Sequence, residues 1–276
     1  MNPETKDSRR RFGWVAVRTF FRSPLFDIIQ FLVLIAILCR LAIGSAANIG
    51  YNWQWYQIPR YLFQSTETGL VAGPLLHGLW ITVQISLASL VCALLVGLLV
   101  ALLRLSNSFV GRGLAVLYLE TSRNTPLLIQ IFFIYFVLGP ALGLERMAAA
   151  ILALSLFEGA YASEIFRSGI QSVPRGQIEA AKALGLPPYA TYRKIIIPQA
   201  IRTVLPPLTS QAISLVKDSA LVSTIAVYDL TMQAQTLIAE SYLTFEIWFT
   251  VAAMYLLITL FLSVLVGIME KRLKLP

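Results

Sequence analysis

Ser172–Gln199 reads SVPRGQIEAAKALGLPPYATYRKIIIPQ, a polar and cationic island between two long apolar stretches. Its punctuation predicts two short helices meeting at a sharp corner. Pro174 suits a first helical turn, where a missing N–H costs nothing, and Gln177–Leu184 carries good helix formers. Gly185 falls where a helix end favours a left-handed residue, and Pro187–Pro188 bar continuation while opening the next helix. That second helix is expected to run to about Ile197, where Pro198 stops it or re-aims it into the next apolar run. The small side chains of Ala180, Ala181 and Ala183 suit the corner to fit closely against another surface.

Composition sets the solvent. Hydrophobic residues are 57% of the 276, charged residues are 13%, and the mean hydropathy is +0.73. Such a chain is no soluble globular domain. A helix needs about twenty apolar residues to cross the hydrocarbon core, and six runs meet that length: Ile28–Ala46, Leu75–Leu103, Pro126–Leu144, Met147–Ile170, Pro207–Val227 and Phe245–Met269. Because a backbone in lipid must satisfy itself, the expected fold is an all-α integral membrane protein with six transmembrane helices. Trp53, Trp55, Tyr56, Tyr242 and Trp248 flank these runs as interfacial belts.

Lys and Arg in the connecting segments set the orientation. Seventeen lie on one side: Lys6, Arg9, Arg10, Arg11, Arg18 and Arg22 before the first run, Arg104 and Arg112 after the second, six around the corner, and Lys271, Arg272 and Lys274 at the tail. Only Arg60 and Arg146 lie on the other. Both termini and the corner are therefore expected to be cytoplasmic. The net charge of +8 follows from this topology, and no nucleic-acid partner is expected.

Residues 1–74 read as a basic tail, one span and an outward loop, and residues 75–276 as a five-span core with the corner at 172–199. Ser45-Ala46-Ala47 has the small side chains of a signal cleavage site, but the apolar run before it is too long, so a retained anchor is expected. Cys39 and Cys92 fall within spans and read as buried thiols rather than a disulfide or metal pair. His77, the single histidine, reads as interfacial, and Gln84, Ser86 and Ser89 as interhelical packing groups. No GxxxxGK[ST] loop cradles a nucleotide, and no HExxH or nucleophile–base pair is present, so neither catalysis nor a metal is expected.

The corner resembles the EAA loop of permease subunits of binding-protein-dependent ABC importers: Glu179-Ala180-Ala181, three residues, Gly185, then nine residues to Ile195, Ile197 and Pro198, with Ile197 where the family pattern has Leu. Further motifs are similar to the polar amino-acid branch of that family. They are Leu79-Trp80-Ile81-Thr82-Val83, Arg123-Asn124-Thr125-Pro126-Leu127-Leu128, Ala160-Tyr161 with Glu164 and Arg167, and Lys217-Asp218-Ser219 with Leu221. Asn124 stands where the branch more often has Gly. Six spans exceed the branch's minimum of five.

The resemblance implies that this chain binds no cofactor. ATP and Mg would be held by a separate cytoplasmic ATPase dimer docked on Glu179, Ala180, Ala181, Gly185, Ile195 and Pro198. It also implies a second permease subunit, of the same or a homologous chain, a periplasmic or lipid-tethered amino-acid-binding protein, and surrounding membrane lipid. A rigid corner can pass a rotation to the spans at both its ends.

Charges inside spans are costly and face partners or a water-filled path. Glu158, Tyr161, Lys217, Asp218 and Ser219 are the candidate substrate path, and Arg123, Glu164 and Arg167 the candidate gate or structural ion pairs. Glu164 and Arg167 share a helix face and are expected to pair locally or to meet Arg123. Glu158 falls near the bilayer midplane, with Gly159 and Ala160 expected to leave room beside it. Two readings stay open for it: a carboxylate for the ammonium of an amino acid, or a protonated glutamic acid buried between helices. Two rival functions also stay open. An ion-coupled secondary amino-acid transporter would use Glu158 or Asp218 for its ion, whereas a membrane scaffold would need no intramembrane charge.

Overall fold

The computed structural model describes residues 24–48, 50–66 and 69–273, and it divides into two compact units, 1–53 and 54–276. Lys6, Arg9, Arg10, Arg11, Arg18, Arg22 and Lys274, which carry part of the charge asymmetry, lie outside the described residues. The first unit contains one helix, α1 (Pro24–Asn48), unbroken through Ser45-Ala46-Ala47, with Ile28, Phe31, Leu32 and Leu38 all exposed.

The second unit opens on a 3-10 turn at Trp55–Gln57, the single turn α2 (Pro59–Leu62) and a two-stranded antiparallel hairpin, β1 (Phe63–Thr66) and β2 (Gly69–Ala72). Phe63 pairs with Ala72 and Thr66 with Gly69. This segment is anchored: Ile58 and Tyr61 are buried with Leu75, Leu230, Leu243 and Ile247, and the Gln54 backbone N–H donates to the buried Glu246 carboxylate at 2.6 Å.

The helices that follow are α3 (Pro74–Leu105), α4 (Phe109–Arg123), α5 (Leu127–Leu142), α6 (Arg146–Gln171), α7 (Arg175–Ala183), α8 (Pro188–Thr191), α9 (Ile197–Asp218), α10 (Leu230–Ser241) and α11 (Thr244–Leu273). Among the described residues, α3, α6 and Thr244–Met269 of α11 are each long and apolar enough to cross a membrane, and the bent pair α4–α5 makes up to four. The core packs where α3 crosses α6 and α6 meets α9, around Ile85, Ile131, Leu154, Leu215 and Val222. Close approach of α3 and α6 depends on Gly97, where an added Cβ would sit 2.7 Å from the Ala162 Cβ.

Several expected boundaries move. The segment read as the second-to-third loop holds the 15-residue helix α4, capped by the Ser108 hydroxyl, which accepts from Gly111 N at 3.1 Å. Its buried Ala115 and Leu119 pack on Val100 and Ala160. α4 meets α5 at 109°, and Gln130 holds that bend by donating to the Ser122 and Thr125 carbonyls at 2.7 and 2.9 Å. The span expected at Pro207–Val227 is shifted: α9 ends at Asp218, a 3-10 stretch covers Ser219–Ile225, and Ala226 turns left-handed at φ 56. The 12-residue helix α10 then starts on Asp229, whose carboxylate accepts from Met232 N at 2.8 Å. Cys39 and Cys92 are exposed rather than buried, because helix faces turned to lipid are as apolar as those turned to the core.

Candidate functional site

The corner forms as two helices around a left-handed glycine. Pro174 is the N-cap of α7 rather than a first-turn residue, and the helix closes at Ala183 with Leu184 as C-cap. Gly185 has φ +71, and the returning bonds Gly185 N to Lys182 O (2.9 Å) and Leu186 N to Ala181 O (3.0 Å) satisfy carbonyls the helix end leaves open. Buried Val173 and Ala181 root the corner in the fold, while Glu179, Ala180 and Pro198 are exposed and Ile195 is half-buried. Two large apolar side chains stand out from this polar surface, Leu184 at 80% exposure and Tyr189 at 72%.

Pro198 neither stops nor redirects the chain. A π-helical turn at Tyr192–Ile196 joins α8 to α9, and Pro198 falls in the first turn of α9. The wider turn reassigns carbonyl partners where proline has no N–H to give. Pro206 and Pro207 lie inside α9, and the Thr209 hydroxyl donates to the Pro206 carbonyl at 2.7 Å.

Glu158 is 2% exposed on α6, and its Oε2 accepts from the Gln211 side-chain amide of α9. Asp218, at the end of α9, places a second carboxyl close enough to interact electrostatically with it. Glu158 Oε1 is buried without a hydrogen-bond partner. The cavity beside it, between Leu90, Ala93, Leu94, Ala162, Leu208 and Leu215, measures about 10 Å³, space for no more than one water. The room expected from Gly159 and Ala160 is occupied. A Cβ on Gly159 would lie 3.1 Å from Tyr118 Oη and from Val96, and Ala160 is buried against the same helices.

The other candidates separate into groups. Ser219 is buried, donating to the Val216 carbonyl at 2.8 Å with the Ser86 hydroxyl 3.4 Å away. Lys217 is exposed beside Asp218. Tyr161 packs on Phe157 at 5.2 Å and lies under the Arg123 guanidinium at 5.8 Å. Glu164 does pair with Arg167, through Nη2 at 2.8 Å and Nε at 3.1 Å, but its second partner is Arg104 of α3 rather than Arg123. The sequence reading missed Gln211 and Arg104. Gln211 had a signal, since it lies two turns before Asp218 on one helix face. Among the described residues, no group of three His, Cys, Asp or Glu side chains is placed to hold a metal ion.

Comparison with known proteins agrees with this architecture. Residues 93–275 match the family described as binding-protein-dependent transport system inner membrane component. The glutamine transport system permease protein GlnP of Escherichia coli (strain K12) is 38% identical over 203 residues, covering 72% of this chain and 93% of that protein. The nopaline transport system permease protein NocM of Agrobacterium fabrum is 38% identical over 200 residues, covering 68% and 83%. A crystal structure of an amino acid ABC transporter with histidines superposes with a TM-score of 0.68 at 37% identity, over 72% of this chain and 94% of that one. The MetNI methionine ABC transporter shares the fold, with a TM-score of 0.64 at 20% identity over 73% and 97%. These relatives support an ATP-binding-cassette importer and give no support to the ion-coupled alternative. The chain belongs to the inner membrane components of binding-protein-dependent transport systems and is a permease subunit of an amino-acid ABC importer.

Proposed function

We propose that the Glu158–Gln211–Asp218 group lies on the translocation path and receives the ammonium of the transported amino acid. The observation that carries this reading is the buried Glu158 carboxyl with one oxygen unpartnered: an ionisable group held inside a span is costly and marks a functional position. The one-water cavity beside it fits a path that is closed in this state. Residues 75–276 act as the permease core and residues 1–74 as an accessory region with a further span, six spans in all. The termini and the Ser172–Gln199 elbow face the cytoplasm of a bacterial inner membrane. There the exposed Leu184 and Tyr189, with Glu179 and Ala180 beside them, dock on a separate ATPase dimer that holds ATP and Mg. A second permease subunit and an amino-acid-binding protein complete the complex.

Glu158→Gln tests the path. It preserves volume and removes the charge, so uptake into membrane vesicles with saturating binding protein should fall by a charge-assisted hydrogen bond's worth, about 1.5–3 kcal/mol. Near-wild-type affinity and rate would remove Glu158 from the path. A loss confined to cationic substrates would place it against the substrate side chain instead.

A further inference from the structure

At the ends of α3 and α6 nearest the elbow, one carboxylate joins the two helices. Glu164 Oε1 meets Arg104 in the last turn of α3, and Glu164 Oε2 accepts both Arg167 contacts. Arg167 Nη1 donates onward to Gln171, the last residue of α6, at 2.6 Å. Gln171 leads directly through Ser172–Pro174 into α7. The side chains of Arg104, Glu164 and Arg167 are only 24%, 25% and 28% exposed, so solvent screens the chain weakly. Arg123 over Tyr161 ties α4 to the same stretch of α6. Two turns away from Arg104, Gly97 and Ala162 already hold α3 and α6 in close contact, so the ionic chain continues an existing seam.

We propose that Arg104 is a positioning residue: through Glu164, Arg167 and Gln171 it makes α3 move with α6 as one body when the elbow is displaced. This rests on the reading that the elbow docks on the ATPase. A gate would need these ends to part; a tie needs them to stay together, and the continuous seam favours the tie.

The test uses the assembled complex with its ATPase and binding protein in proteoliposomes, reading uptake and ATP hydrolysis in the same sample. Arg104→Gln should leave assembly and hydrolysis at wild-type levels while substrate moved per ATP falls about fivefold or more, the range of a lost coupling between elements. A second variant guards against misfolding. With Cys39 and Cys92 replaced by serine, Arg104→Cys with Glu164→Cys should be uncoupled, and bridging the two thiols with a flexible bis-thiol linker should restore coupling. An unchanged ratio in Arg104→Gln overturns the proposal, as does a bridge that blocks uptake, which would make the contact a gate. Leu184→Asp separates the underlying reading: if it leaves the ATPase bound and stimulated, elbow docking falls; if it uncouples while Arg104→Gln does not, the tie alone falls.

Discussion

Gln211 of α9 donates its side-chain amide to the buried Glu158 carboxylate of α6, joining two helices across 53 residues of sequence. Replacing it with leucine removes the donor and leaves the carboxylate short of partners. Gln211→Leu should destabilise the protein by about 1–3 kcal/mol, read as a lowered thermal midpoint in detergent, whereas Glu158→Gln with Gln211 intact should melt close to wild type.

Gly185 isolates backbone strain from packing, because its φ is +71 and an added Cβ would meet nothing within 4 Å. Gly185→Val should therefore cost about 1–2 kcal/mol through the left-handed conformation alone. Its readout is substrate-stimulated ATP hydrolysis, which should fall while membrane insertion is unchanged.

Orientation is checked by labelling. In a background with Cys39 and Cys92 removed, a cysteine at exposed Gln177 should react only with reagents that reach the cytoplasm, and one at exposed Gln64 of β1 only from outside. Reversed labelling would overturn the topology read from the Lys and Arg distribution.

Packing between α3 and α6 predicts a contrast between two glycines. Gly97→Leu forces a side chain into a space already 2.7 Å from Ala162, and should destabilise by about 1–3 kcal/mol. At Gly113 of α4 an added Cβ would meet nothing within 4 Å, so Gly113→Ala should be neutral or stabilising by up to about 1 kcal/mol. Thermal unfolding of the two variants in one detergent measures the difference.

The legible parts were those set by local chemistry. Long apolar runs gave α3, α6 and α11 nearly to their ends, and the Ala183-Leu184-Gly185 sequence gave the left-handed close of α7. α4 and α10 were not legible, because at 15 and 12 residues with mixed polar content they look like connecting loops to a length criterion. Cys92 was misplaced for another reason: in lipid, hydropathy does not distinguish an inward face from an outward one. Glu164's local partner Arg167 was legible from helix spacing, but Gln211 and Arg104 lie 53 and 60 residues from Glu158 and Glu164, so those pairings are set by the fold.

The π turn that carries the chain past Pro198 has a mechanical consequence. From Pro188 to Asp218 the backbone is helical without interruption, a rod of about 46 Å at 1.5 Å per residue. Pivoted near its middle, a tilt of only about 5° would sweep each tip by about 2 Å over that length. That is comparable to the small helix shifts that switch packed interfaces. Tyr189 sits at one tip and Asp218 at the other, so the same stroke that rocks the elbow would swing a carboxyl toward or away from Glu158. A break at Pro198 would have absorbed that stroke; the continuous helix passes it on, with Pro206 and Pro207 left as the points where the arm can flex.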